Sequence, residues 1–312
     1  MILVIAVLGP AACGDPGAGG DAGTTTDAST GVAEGSASAS TTAPTGEGSS
    51  GSTDGGGSTG GGDTTADTSS SGAGDSESST GDVGPMGLPT LGSLVVLGDS
   101  ISDGGGGAPF YYTLLHADLD AFYGDVQYVN VAQSGSETEA LLGQVQDLPA
   151  ALPGPVAVVI TSGGNDMKAN IVAVVTGVDG PAKAALQANI AAAQDALLAP
   201  NRFGPGVEVH LFEGNIYDAS DGVGDFGAND CAFGGGFPTI PTDPFFEAWN
   251  AAIAETTEAH GGRAVDMHAW FYGHGYHTPP NWYASDCTHP STLGHDQLRR
   301  LFYTEITGAT LP

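Results

Sequence analysis

The chain has 312 residues and carries 36 acidic side chains against six basic ones, a formal net charge of −30. Twenty-five of the acids and all six bases lie beyond residue 90, so that part alone holds 19 negative charges in excess; it should be repelled by nucleic acid and by anionic membrane surfaces, which leaves neutral substrates as the expectation. No run of 18 apolar residues is present, so no segment reads as a membrane span.

The chain opens on Met1-Ile2-Leu3-Val4-Ile5-Ala6-Val7-Leu8, followed by Gly9-Pro10-Ala11-Ala12-Cys13. An apolar core closed by small residues has the form of a secretory signal. Residues 1–13 resemble a bacterial lipoprotein signal, which implies export and a lipid on Cys13, with plain secretion as the alternative. They depart from that pattern in lacking a basic start and in carrying Pro10 where Leu is usual. Residues 14–90 are nearly all Gly, Ser, Thr, Ala and Asp, with no aromatic residue and no Lys or Arg. Such a segment cannot bury enough apolar surface to offset its ordering entropy, so it is expected to be a disordered linker. As a flexible coil it would span roughly 50 Å. Residues 91–312 then form one domain, long enough for a single core.

From residue 91 apolar strands alternate with helical stretches. Leu94-Val95-Val96-Leu97 is an aliphatic run, read as a strand over 93–99 buried on both faces. It stops on Gly98-Asp99-Ser100. A helix is predicted from Pro109 to Phe122, with Pro109 in its first turn. Strands are predicted over 126–132, 155–161, 207–213 and 263–268. Helices are predicted near 138–147, over 181–199, over 243–260 and over 290–306. A Gly/Asp-rich loop covers 216–242, and an irregular aromatic loop precedes the last helix. This alternation predicts a parallel sheet with helices on both faces.

Ser100 would stand at the carboxyl end of the first strand, the edge where open α/β sheets gather ligands. A Gly-Asp-Ser turn alone is common. Asp286-Cys287-Thr288-His289 lies 189 positions on, before the last helix. An Asp three residues ahead of a His can reach one imidazole nitrogen while the other faces a nucleophile, which fixes the tautomer. Asn130-Val131-Ala132-Gln133-Ser134-Gly135 and Ser162-Gly163-Gly164-Asn165-Asp166 end the second and third strands, on the same edge. The backbone N–H groups of Ser100 and Gly135 and the amide of Asn165 would make a three-donor oxyanion hole.

In their order, these four blocks resemble the SGNH hydrolases, also called the GDSL esterase/lipase family. The likeness covers about 93–305 and includes Gly294-His295-Asp296-Gln297-Leu298 after His289. It implies a three-layer α/β/α sandwich around a five-stranded, mainly parallel, flavodoxin-like sheet. It also implies Ser100 as nucleophile, His289 as general base and Asp286 as its orienting acid. Gly135 and Asn165 would be oxyanion donors beside the Ser100 N–H, and no cofactor or metal is required. Block two is the loosest match, because Gln133 stands where a small residue is common. The Gly-x-Ser-x-Gly elbow of the α/β-hydrolases is not met.

Cys231 and Cys287 remain if Cys13 is lipidated. An even pair in an exported domain suggests a disulfide worth on the order of 4 kcal/mol; two unpaired core thiols are the alternative. Asp218, Asp221, Asp225 and Asp230 could hold calcium, or form a solvated acidic loop. His274 and His277 with Asp286 and His289 could be a zinc cluster, although that competes with the triad for His289. Trp282 and Tyr283 could wall the substrate site, stacking on sugars or lining an acyl pocket. The sum is an exported monomeric serine esterase acting on small acyl, carbohydrate or lipid esters. Its only membrane contact would be a lipid on Cys13. A surface-displayed carbohydrate-binding lipoprotein with a vestigial site is the alternative.

Overall fold

A computed structural model describes residues 86–228, 231 and 238–311. The expected signal at 1–13 with Cys13, residues 14–85 of the expected linker, and Asp230 lie outside the described residues. The five strands are β1 (Ser93–Gly98), β2 (Gln127–Asn130), β3 (Val156–Thr161), β4 (Val209–Gly214) and β5 (Arg263–Val265). They form one sheet in the order β2-β1-β3-β4-β5, and every pairing is parallel. The sheet is thus wholly parallel, with the expected doubly wound arrangement.

The aliphatic runs explain the centre of the sheet. Leu94, Val95, Val96 and Leu97 in β1, and Val156 to Ile160 in β3, are all fully buried. Alternate residues serve opposite layers, as strand geometry requires. Leu94 and Val96 pack with α1 (Tyr111–Tyr123) and α8 (Thr292–Thr307), through Leu115, Leu119, Leu298 and Phe302. Val95 and Leu97 face the other layer, with α2 (Leu141–Asp147), α5 (Gly180–Leu197) and α6 (Asp243–Ala259), through Val145, Leu186, Ile190 and Trp249. The Ala-rich α5 thus buries one stripe, Leu186, Ile190, Ala193 and Leu197.

Several expectations are corrected at their edges. The first helix begins at Tyr111 and the last at Thr292, where the Ser291 hydroxyl accepts from the Gly294 N–H. Two short helices, α3 (Gly164–Ala169) and α4 (Ile171–Thr176), follow Gly163 where no helix was expected. β5 stops at Val265 instead of running to 268, because Asp266 caps α7 (Met267–Phe271) by accepting from Ala269 N at 2.9 Å. Docking also begins before residue 91: Leu88 N donates to Ile306 O, and Tyr123 Oη donates to Leu88 O, both at 2.8 Å.

The acidic loop has its own hydrogen-bond logic. Asp218 accepts from Ser220 N, Ser220 Oγ, Gly222 N and the Thr242 hydroxyl. Asp221 accepts from Gly273 N and Gly275 N, and Asp225 holds Tyr276 Oη and His277 Nε2. Asp221 and Asp225 thus staple the loop to the 273–277 segment, while Asp218 closes the loop on itself and on Thr242. His274 stacks on Trp282 at 3.6 Å between centroids, apart from the His277–Asp225 pair. Among the described residues no three such side chains gather to hold a metal.

Glu213, at the end of β4, is fully buried. Its Oε2 accepts from Gln194 Nε2 at 2.6 Å, whereas Glu213 Oε1 and Gln194 Oε1 have no partner among the described residues. Burial pushes this carboxyl up to about 7, outweighing the Gln194 and Thr257 hydrogen bonds. A neutral Glu213 provides a donor in a pocket that otherwise holds two unpaired acceptors. Its folded pKa is raised, so the stability it contributes is complete below the ordinary glutamate range. That contribution is lost as pH rises through about 7. Thermal melts should therefore shift down between about pH 5 and pH 8, and Glu213→Gln should flatten that decline. Parallel pH dependences in the two proteins would remove Glu213 from the account.

Candidate active site

In the order β2-β1-β3 the chain leaves β1 to one side and returns on the other, so the carboxyl ends of β1 and β3 flank the switch point. Ser100 follows β1 and Asn165 follows β3. The turn at Ser100 is tightly fixed. Asp99 N donates to Thr161 O at 2.9 Å, and Asp103 N and Gly105 N both donate to Ser100 O. Beneath it, Ser102 Oγ lies 2.6 Å from Tyr111 Oη and 2.7 Å from Thr161 Oγ1.

The histidine facing Ser100 arrives from the far end of the chain. His289 Nε2 lies 2.7 Å from Ser100 Oγ, and His289 Nδ1 lies 2.6 Å from Asp286 Oδ2. A carboxylate only accepts, so Nδ1 carries the proton and Nε2 is left to accept from the serine hydroxyl. The other Asp286 oxygen accepts from the backbone N–H groups of Thr288 and His289, at 3.0 and 2.9 Å. Burial pushes the Asp286 carboxyl up, but the imidazole and these two N–H groups outweigh it and hold the acid at about 2.

The loop carrying both residues is fastened on every side. Cys287, in the left-handed region at φ 55°, is disulfide-bonded to Cys231 with Cα atoms 5.4 Å apart. Tyr217 Oη donates to Thr288 O at 2.9 Å, Ala284 N donates to His289 O at 2.8 Å, and Tyr283 bridges to Pro290. On its open side the imidazole rests against backbone. A Cβ on Gly105 would stand 2.3 Å from His289 Cδ2 and 2.7 Å from Nε2. His295, buried in α8, holds that glycine segment: its Nε2 donates to Gly105 O at 2.8 Å, while its Nδ1 accepts from Tyr111 N.

Gly135 lies exposed at φ 80°, with nothing within 4 Å of where a Cβ would be. Among the described residues the N–H groups of Ser100 and Gly135 donate to no protein acceptor. Asn165 Nδ2 donates to Ser136 O at 2.9 Å, which uses one of its two protons and leaves the other. Asp103 ties this loop to the nucleophile turn, accepting from Ser134 N at 2.8 Å.

A family model described as GDSL-like lipase/acylhydrolase matches residues 96–297. The chain belongs to that family. It is a carboxylic ester hydrolase of the SGNH/GDSL type. No curated protein matches this hydrolase. Among solved structures it is similar to a lipase from a goat rumen metagenome, at 19% identity and a TM-score of 0.50, over 68% of this chain and 98% of that one. A variant of an acetyl xylan esterase from Geobacillus stearothermophilus is also 19% identical, with a TM-score of 0.49 over 73% and 99% of the two chains. A phospholipase A1 from Streptomyces albidoflavus is 19% identical, with a TM-score of 0.44 over 69% and 100%. At such identities the likeness is one of fold.

Trp282 and Tyr283 do not wall the site. They are 8% and 4% exposed, and Phe271 meets both rings edge-on at 5.2 and 5.5 Å. They stand near Asp286 in sequence, but their rings are taken up by the core that supports the loop. Gln144, Tyr217 and Gly105 also support the site and are not singled out by the sequence; His295 stands in the closing family block, but with no role read for it. The run Gly104 to Gly107 is a signal that could have pointed to a close approach of backbone.

Gly105→Ala should therefore displace the imidazole while leaving the sheet intact. Steady-state assays should find kcat lowered by on the order of 100-fold or more, with a melting temperature within a few degrees of the parent. Disulfide reduction should lower activity at temperatures where far-ultraviolet circular dichroism is unchanged. Equal activity with and without reductant would show that Tyr217 and the backbone bonds hold the loop unaided.

Proposed function

We propose that this hydrolase is an exported serine esterase that cleaves neutral carboxylic esters through an acyl-enzyme on Ser100. The observation that carries the proposal is the unbroken line Asp286–His289–Ser100, at 2.6 and 2.7 Å. Ser100 Oγ attacks the ester carbonyl carbon as His289 Nε2 takes its proton. Asp286, already ionised, stabilises the imidazolium that forms. The tetrahedral oxyanion is met by the Ser100 and Gly135 N–H groups and by the remaining Asn165 Nδ2 proton. Collapse breaks the ester C–O bond, and the imidazolium returns the proton to the departing alcohol. Water, deprotonated by His289, then attacks the acyl carbon. The second collapse restores Ser100 Oγ–H and releases the acid.

The mouth supports neutral substrates. Asp103 is bonded to Ser134, and exposed Glu137 is two positions beyond Gly135. A substrate carrying its own negative charge near the scissile bond would meet these groups as well as the net charge of the domain. Small acyl, carbohydrate and neutral lipid esters fit this condition. Export rests on the N-terminal pattern, with the lipid on Cys13 and the domain held at the cell envelope by the linker.

Ser100→Ala should lower kcat by at least ~10³-fold, and a fluorophosphonate should label the parent but not the variant. Retained activity in the variant would remove Ser100 from the mechanism. At low ionic strength, 4-nitrophenyl butyrate should be cleaved at least ~10-fold more efficiently than 4-nitrophenyl hemisuccinate, the gap narrowing as salt is added. Equal efficiencies at low salt would refute the electrostatic selection. Cys13→Ser should move the protein from the membrane fraction to the soluble one, and an unchanged distribution would count against the anchor.

A further inference from the structure

Gln144 is fully buried at the middle of α2, between Leu141 and Val145, which pack into the core. A glutamine there, without charge or exposed end, needs partners for both amide atoms. It finds them at the last residue of β1. Gly98 N donates to Gln144 Oε1 at 2.8 Å, and Gln144 Nε2 donates to Gly98 O at 2.8 Å. The ladder between β1 and β2 ends at Val96 and Asn130; beyond it the Gln144 amide takes the Gly98 N–H and shares the Gly98 carbonyl with the chain that continues β2.

The Gly98 carbonyl receives more than Gln144. Gln133 N donates to it at 3.0 Å and Ser136 Oγ at 3.1 Å. Gln144 Nε2 also reaches Ser136 Oγ at 3.4 Å, and Ser136 O accepts from Asn165 Nδ2 at 2.9 Å. Gln133 and Ser136 bracket Gly135, while Gly98 lies two residues before Ser100. One carbonyl and one buried amide thus join the segments that carry the Ser100 N–H, the Gly135 N–H and the Asn165 amide.

We propose that Gln144 is a positioning residue for the oxyanion site. It sets the spacing between the Ser100 and Gly135 N–H groups by holding Gly98 and Ser136 together. This rests on the esterase mechanism above, in which those groups meet the oxyanion. Gln144 touches neither substrate nor triad, so its loss acts on a charge that develops only in the transition state. It should lower kcat and leave KM nearly unchanged.

The test uses Gln144→Met and Gln144→Glu in the full chain, with Ser100→Ala alongside. Gln144→Met removes both hydrogen bonds at nearly constant volume. Its kcat for 4-nitrophenyl butyrate should fall on the order of 10- to 100-fold, with KM within about threefold. Inhibition by a trifluoromethyl ketone, which forms the oxyanion on Ser100, should weaken by a similar factor. Gln144→Glu supplies the rescue. As a neutral acid it can accept from Gly98 N and donate to Gly98 O, as the amide does; ionised, it has no donor. Its kcat relative to the parent should therefore be highest at acidic pH and fall as pH rises. A purely structural role would leave this ratio flat and move KM and kcat together. A folded Gln144→Met with kcat within twofold of the parent would overturn the proposal. If Gln144→Met does not fold, a pH-independent ratio for Gln144→Glu would overturn it equally. Residual full activity in Ser100→Ala would mark a failure of the mechanism rather than of the role given to Gln144.

Discussion

Parallel strands rarely end together, and the strand that runs furthest is left with peptide groups its neighbour no longer meets. Inside a protein an unmet N–H or C=O costs on the order of 1–3 kcal/mol. At the carboxyl edge of this sheet, amide side chains take the missing places. Gln144 pairs with both polar atoms of Gly98, and Asn250 on α6 does the same for Ile216 beyond β4. Asn215 accepts from His268 N and donates to Asp266, and Asn130 accepts from Ala132 N while donating to Ser102 O. An amide presents a donor and an acceptor side by side, so one side chain can stand for one peptide. A carboxylate cannot. The edge can therefore splay open with the peptide groups of Gly98 and Ile216 met, and the N–H groups of Ser100 and Gly135 stay available for a ligand.

The second condition is that His289 reach Ser100 across 189 positions of sequence. Helix α8 packs against α1 through Leu298 and Phe302, so the start of α8 is placed by the core rather than by its own loop. The loop ahead of it adds local fastening from the Cys231–Cys287 bridge, Tyr217 and the Tyr283–Pro290 pairing. His295, one turn into α8, closes the circuit by holding Gly105 against the imidazole. A hydrogen bond of 2.7 Å between such distant residues is thus the end result of helix packing, with little left to loop flexibility.

What the sequence made legible follows from these two conditions. The aliphatic runs of β1 and β3 announced buried parallel strands. The chemistry-bearing residues stood within a few positions of strand or helix ends, so Ser100, Gly135, Asn165, Asp286 and His289 could be listed together. Their supports were not legible, because each acts through a contact that local pattern does not encode. Gln144 meets Gly98 from 46 positions away and His295 meets Gly105 from 190. A glutamine or histidine in a helix carries no mark of which buried group it serves. Trp282 and Tyr283 show the converse error: sequence proximity to Asp286 suggested the site, but large rings go to the core that holds the loop. The end of β5 was misplaced for a local reason, since Asp266 with Ala269 three residues on is a helix start that the apolar residues nearby obscured.

Two acids near the nucleophile show why position matters more than residue type. Asp99 adjoins Ser100 in sequence and Asp286 is far from it, yet Asp286 holds the imidazole. Asp99 is buried, its Oδ1 accepts from Ile101 N, and burial pushes its carboxyl up to about 7. Asp286 is partly open to solvent and accepts from two backbone N–H groups and the imidazole, which hold it near 2. A carboxyl that is largely neutral below pH 7 cannot stabilise an imidazolium, whereas one ionised down to about 2 can. An ionised Asp99 would also set a second negative charge beside the developing oxyanion. The fold sets the two acids apart by solvation: burial inside the turn disfavours charge on the acid beside the serine, and the acid on the far side of the imidazole is held ionised by its hydrogen bonds.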